Sequence, residues 1–146
     1  MEKEEFEKFL HDKIPMTKAM EVRVEEYSPS KVRLAAKLEP NINDKGTAFG
    51  GSISSLMTLC GWSMAFRIMV EEDPEAQIVV QKSSINYIAP IRGDFAAECE
   101  IRDEESLEQF LCTYRERRKG RLKLGVRCYG GGTLSAEYEG QYVAYR

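Results

Sequence analysis

Thr47-Ala48-Phe49-Gly50-Gly51-Ser52-Ile53-Ser54-Ser55-Leu56-Met57-Thr58-Leu59-Cys60-Gly61-Trp62-Ser63-Met64-Ala65-Phe66 is a run of twenty residues without a charge, in a chain where 31% of residues are Asp, Glu, Lys or Arg. As a helix it would be about 30 Å long, enough to cross a bilayer. Nine of the twenty are Gly, Ser or Thr, a poor composition for insertion into hydrocarbon. The run therefore reads as a helix buried in protein. Ile53, Leu56, Met57, Cys60 and Met64 form one stripe, and Leu59, Trp62, Phe66 and Met69 form another. A helix apolar over most of its circumference is one that other elements surround. Charge returns at Arg67, and the helix is expected to end between Glu71 and Pro74.

On both sides of this helix the apolar period is two. Met20, Val22 and Val24 alternate with charged residues, and after the Tyr27-Ser28-Pro29-Ser30 turn so do Val32, Leu34 and Ala36. Downstream, Gln77 to Ala89 reads as a strand closed by Pro90 and Gly93, and Phe95, Ala97, Cys99 and Ile101 as another. Phe110, Cys112 and Tyr114 suggest a further strand. Leu122, Leu124, Val126 and Cys128 follow, and Leu134, Ala136, Tyr138 and Tyr142 share one face of the last element. Glu2 to His11 is instead a short amphipathic helix carrying Phe6, Phe9 and Leu10, closed by Pro15. About seven strands around one helix, in the order ββ, α, then five β, predict an α+β fold with a mainly antiparallel sheet.

The 146 residues form one domain, 1–146, long enough to bury roughly 70% of its unfolded surface. Twenty-one basic and 24 acidic residues give a net charge of −3, which argues against a nucleic-acid binder. Met1 to Leu10 is rich in Glu and Lys and lacks the pattern of a secretory signal, so a cytoplasmic protein that neither enters nor crosses a membrane is expected. Cys60, Cys99, Cys112 and Cys128 show no CxxC or zinc spacing and read as small apolar core residues without disulfides.

The single histidine, His11, lies in the N-terminal helix, which removes most histidine-dependent hydrolase mechanisms. Gly51-Ser52-Ile53-Ser54 fails the G-x-S-x-G nucleophile elbow, and no HExxH, Walker loop or G-x-G-x-x-G occurs. No ligand cluster for a metal is present.

What remains is Asn41-Ile42-Asn43-Asp44-Lys45-Gly46-Thr47-Ala48-Phe49-Gly50-Gly51-Ser52. Glycines at the start of a buried helix let another group approach free N–H donors that carry partial positive charge. A carbonyl oxygen that becomes an anion suits such a place. Gly50 and Gly51 equally suit a tight turn under the sheet. Asp44 is either an activating carboxylate or a solvent-facing turn residue. Thr58, one turn from Ser54 and Ser55, either completes a polar stripe or permits close helix packing. The basic stretch Arg115 to Lys123 is a solvated hairpin tip, or a holder of phosphates or of an acidic protein.

The layout, with Asn43-x-x-Gly46-x-x-Phe49-Gly50-Gly51 and the later Ile85-Asn86-Tyr87-Ile88-Ala89-Pro90-Ile91-Arg92-Gly93, resembles the hot-dog-fold thioesterases over essentially the whole chain. The likeness is greatest to the YiiD C-terminal branch, through Gly46 to Ser52 and Gly61-Trp62. The resemblance implies a curved antiparallel sheet wrapped around the central helix. It implies a homodimer, or a dimer of dimers, with active sites at the dimer interface. It implies acyl-CoA or acyl carrier protein as substrate, with CoA or phosphopantetheine arriving as part of it and no other cofactor.

Carried over by residue, a Gly50 or Gly51 amide would face the thioester carbonyl and Asn43 would orient water or substrate. Asp44 and Thr58 complete the catalytic candidates, with Thr47, Phe49, Ser52, Ser54, Ser55 and Asn86 as candidate substrate contacts. Phe49 stands where many such enzymes have His, and Thr58 where they have a helix carboxylate. An acyl thioester hydrolase is the expectation. A binding module that holds the thioester without turnover is the alternative, and an acyl dehydratase would lack its histidine.

Overall fold

A computed structural model describes residues 1–146. Residues 50–66 of the uncharged run form the first three-quarters of a 23-residue helix, α3 (Gly50–Glu72). Ahead of it lie α1 (Lys3–Lys13), α2 (Pro15–Ala19), β1 (Arg23–Tyr27), β2 (Lys31–Ala36) and a 3-10 turn at Glu39–Asn41. After it come β3 (Gln77–Tyr87), β4 (Phe95–Glu100), α4 (Glu104–Arg117), β5 (Lys119–Gly130) and β6 (Thr133–Tyr145). The strands form one antiparallel sheet in the order β1-β2-β4-β5-β6-β3. Its inner face wraps α3. Leu56, Met57, Cys60 and Met64 of the helix join Val32, Leu34, Ala97, Val126, Tyr138 and Tyr142 of the strands in the core. Although α3 has the length and apolarity of a membrane span, 56% of its apolar window is buried inside the fold, as befits a core helix.

Two hydroxyls join the middle of α3 to the sheet. The Tyr142 hydroxyl donates to the Thr58 carbonyl (2.7 Å), so Tyr138 donates to Tyr142 (2.7 Å). Gly61 is required there: a Cβ on it would lie 2.3 Å from the Tyr142 oxygen. Trp62 donates its indole N–H to the Ile78 carbonyl (2.9 Å), tying α3 to the start of β3. On the other side, α1 lays Phe6 and Phe9 against Phe66 of α3, and Phe6 stacks on Tyr27.

Four expectations from sequence need correction. Pro15 does not merely end a helix; it opens α2, with its ring at the first turn, where no N–H is needed. Residues Phe110 to Tyr114 are helical, so the strands number six. Phe110 and Tyr114 are buried one turn apart, and the Asp103 carboxylate caps the helix by accepting from the Ser106 N–H (3.0 Å). Cys112 is consequently exposed, while the other three cysteines are buried and free. The basic stretch is not a hairpin tip: it is the end of α4, a left-handed turn at Arg118 (φ 57) and the start of β5.

Asp73 fastens the ends of several elements. It accepts from the Tyr114 hydroxyl (2.6 Å) and the Glu75 N–H (3.1 Å), with Arg118 and Arg146 each 3.6 Å away. The Tyr114 hydrogen bond, then the backbone and arginine charges, hold its carboxyl below the ordinary value against the opposing cost of burial. A depressed carboxylate stabilises the fold above its unfolded value of about 3.9 and loses that contribution as pH falls through the folded value. Asp73→Asn is therefore expected to melt below wild type at neutral pH, with the gap closing in acid. Thermal melts of both proteins across that range check it.

Candidate active site

The loop before α3 is a rigid scaffold. The buried Asn41 side chain donates to the carbonyls of Met20 (2.9 Å) and Lys37 (2.8 Å), and the Asn41 backbone carbonyl accepts the Phe49 N–H (2.8 Å). Ile42 and Ala48 form a bridge across the loop. Ala48 N–H reaches Ile91 O (2.9 Å), which fixes the loop to the segment after β3. Between them Gly46 takes φ +79, a conformation that side chains disfavour.

Asn43 is spent inside this loop. Its Oδ1 accepts from the N–H groups of Lys45 (2.8 Å) and Thr47 (3.1 Å), and its Nδ2 donates to Thr47 Oγ1 (3.0 Å). Thr47 is thus held as the partner of Asn43. Asp44 points into solvent, its side chain 82% exposed and its carboxylate 3.4 Å from Lys45.

The product of the scaffold is the helix start. Phe49 caps α3 with its backbone alone, and its carbonyl accepts both Ser52 N–H (2.9 Å) and Ile53 N–H (3.0 Å). Gly50 and Gly51 N–H have no acceptor in the protein. Two adjacent free donors therefore stand at the positive end of a 23-residue helix. Their surroundings are aromatic. The Phe49 ring lies against Gly51, where a Cβ would come within 2.4 Å of it. Tyr87 covers Gly50, its hydroxyl donating to the Gly50 carbonyl (3.1 Å). Phe49 and Tyr87 are each 56% exposed, and Ile42 and Ile88 are similarly open, so the donors sit in an apolar patch facing outward.

Ser52, Ser54, Ser55 and Thr58 are half-buried along α3, and Ser54 donates back to the Gly51 carbonyl (3.2 Å). Ser55 and Thr58, three residues apart, share a face of the helix. Asn86 is not brought to this place. Successive strand residues point to opposite faces. Tyr87 turns toward Gly50, and Asn86 lines a groove on the outer face of the sheet with Glu137 and Glu139. Tyr87 is therefore a candidate site residue that the sequence alone does not single out, although it stands inside the quoted Ile85–Gly93 motif.

Other chemistry is poorly provided for. Burial pushes the Cys99 and Cys128 thiols up to about 12, and the Cys60 thiol well above its usual value, which leaves them inert. His11 is tied to the Val22 carbonyl (2.7 Å). No three His, Cys, Asp or Glu side chains are grouped to hold a metal ion.

Among solved structures, a protein of unknown function from Chlorobaculum tepidum is 31% identical, matching 99% of this chain and 94% of its own, with a TM-score of 0.92. A "putative thioesterase" from Shewanella oneidensis is 27% identical over 99% of this chain and 97% of that one, TM-score 0.87. A Haemophilus influenzae thioesterase shares only 9% identity but the same fold, TM-score 0.80 over 100% of this chain and 92% of that one. The sheet wrapped around α3 is accordingly a hot-dog fold. The model of the family described as "Putative thioesterase (yiiD_Cterm)" matches residues 3–146, and the chain belongs to that family.

Proposed function

We propose that the protein hydrolyses acyl thioesters of CoA or of an acyl carrier protein, receiving the thioester carbonyl oxygen at the Gly50 and Gly51 N–H groups. The pair of unpartnered amides at the start of α3 carries this reading. A water adds to the carbonyl carbon, and the oxygen becomes an anion facing the two donors. The carbon–sulfur bond then breaks and the thiol leaves. A thiolate, with an ordinary value of about 8.5, departs with little help from an acid. Donors already aimed at the developing charge need no reorganisation, the arrangement that lowers such barriers most.

Neutral hydroxyls orient a water but do not deprotonate it, so Thr58 and Ser55 serve as its positioners. Asp44, open on the loop, is the carboxylate available to take the proton. Asn43 acts one step back, by shaping the loop that presents Phe49 and the amides.

The site is built for completion by a second copy. β3 is an 11-residue edge strand exposed along nearly its whole length, including Val79, Val80 and Tyr87. Such an edge exposes unpaired backbone groups and apolar side chains that proteins cover. Antiparallel pairing of two β3 strands about a two-fold axis covers both and lays the partner across the patch at the helix start.

Thiol release from a panel of acyl-CoAs and acyl carrier proteins tests the reading. Turnover is expected, with Thr58→Ala lowering kcat more than about ten-fold, roughly 1.4 kcal/mol of barrier. Binding without thiol release at any chain length would establish the non-catalytic module instead.

A further inference from the structure

The sheet leaves one face of α3 uncovered. Leu56, Met57, Cys60, Gly61 and Met64 are buried, whereas Ser55, Leu59, Trp62 and Phe66 are only half-buried. These four fall at i, i+4, i+7 and i+11, which places them on a single stripe, and Gly51, one turn before Ser55, heads it. The stripe therefore starts at the free donors and runs away from them along the helix.

Its chemistry changes on the way. Ser55 is followed by Leu59, Trp62 and Phe66, so the stripe turns apolar one turn beyond the donors. The one polar atom of Trp62, the indole N–H, is already spent on the Ile78 carbonyl (2.9 Å), and its ring offers only carbon to a neighbour. At the far end the stripe is closed by packed rings. Trp62 and Phe66 have centroids 5.1 Å apart, and Phe9 and Phe6 of α1 lie 5.2 and 5.5 Å from Phe66. Held by its hydrogen bond and by this stack, Trp62 is a fixed wall.

We propose that this stripe seats the acyl chain of the substrate, with Leu59 as its floor and Trp62 setting where the chain ends. The assignment rests on the thioester carbonyl lying at the Gly50 and Gly51 amides, and it adds a chain length. Trp62 is eleven residues on from Gly51, about 17 Å along the helix axis. An extended hydrocarbon, with bonds of about 1.5 Å at about 111°, advances about 1.25 Å per carbon. The stripe therefore holds roughly 12 carbons before the ring stops them. A polar group on the chain would lie against Leu59 and Trp62 without a hydrogen-bond partner, so the acyl group that fits is an unsubstituted hydrocarbon.

Two measurements test it. With straight-chain acyl-CoAs of about 4 to about 18 carbons, kcat/KM is expected to rise about two- to four-fold per methylene up to about 12 carbons, as each is buried, and then to stop rising. Leu59→Trp brings the wall three residues nearer and should shorten the preferred chain by about four carbons, whereas Trp62→Leu moves it back to Phe66 and should lengthen it by about as much. The ratio of kcat/KM for chains of about 8 and about 14 carbons then moves about ten-fold or more, in opposite directions in the two variants, with circular dichroism confirming that both are folded.

The second measurement needs no turnover. Trp62 is the single tryptophan of the chain, so the emission of the wild-type protein reports on the stripe alone. Saturating dodecanoic acid is expected to change that emission, and saturating hexanoic acid, too short to reach the ring, to leave it unchanged. A dodecanoic acid response without thiol release from any acyl-CoA would keep the seat and remove hydrolysis. Thiol release with the same chain-length profile in all three folded proteins overturns the proposal and leaves hydrolysis standing. An emission that dodecanoic acid does not move, as when side chains of a second copy fill the stripe, overturns it as well.

Discussion

Gly50→Pro is expected to lower kcat by about 100- to 1,000-fold, the loss typical of removing one preorganised donor to an oxyanion, while leaving the fold intact. The substitution deletes an N–H that has no protein partner, so no structural hydrogen bond goes with it. Gly50 is the first residue of α3, where the fixed φ of proline already suits a helix. The residue before a proline must be extended, and Phe49 is, at φ −63 and ψ 132. There is room as well: the nearest atom to a Cβ at Gly50 is a Tyr87 ring carbon at 3.7 Å. Gly50→Ala adds the same Cβ but keeps the N–H, so it should stay within a few-fold of wild type. Comparing kcat of the two variants, with matching melting temperatures, isolates the donor. Equal rates would show that the Gly50 amide does not face the reacting carbonyl.

The helix and its wrapping sheet were legible because they follow from burial. A stretch as long as Thr47–Phe66 cannot lack charge unless it is surrounded, and the alternation in β2, β4, β5 and β6 marks the strands that surround it. α4 was misread because Phe110, Cys112 and Tyr114 fit a period of two, whereas Phe110 and Tyr114 alone fit a helical turn. The deciding signals were at its ends: Asp103 three residues before Ser106, acids in the first turn and arginines in the last. Within the candidate site, the position of the two glycines at the start of α3 was legible from their place before an apolar helix. The roles of Asn43 and Tyr87 were not. An Asn in a Gly-containing loop has the same sequence signature whether it binds water or its own backbone. Tyr87 becomes a site residue only because the sheet brings the far end of β3 back over Gly50.

The largest effect on stability is expected at Tyr142. Its ring is almost wholly buried, and truncation to alanine should cost about 3–5 kcal/mol, as for other large aromatic core residues. Tyr142→Phe keeps the ring and removes only the hydroxyl, which leaves the buried Tyr138 hydroxyl without its acceptor and the Thr58 carbonyl without its donor. That loss should be about 1–3 kcal/mol. Burial first, then the neighbouring Tyr138 hydroxyl, holds the Tyr142 phenol above its ordinary value, so it stays neutral and its hydrogen bonds persist across the working pH range. The sharper test uses Gly61. A Cβ there meets the Tyr142 oxygen at 2.3 Å and ring carbons at 2.7 and 2.8 Å, so Gly61→Ala should overpack wild type by about 1–3 kcal/mol. In a Tyr142→Ala background that obstacle is gone. The same substitution should then be neutral, or stabilise by up to about 1 kcal/mol through helix propensity. Urea unfolding of the four proteins measures the coupling. If the two substitutions simply add, the tyrosine pair is not what requires a glycine in the middle of α3.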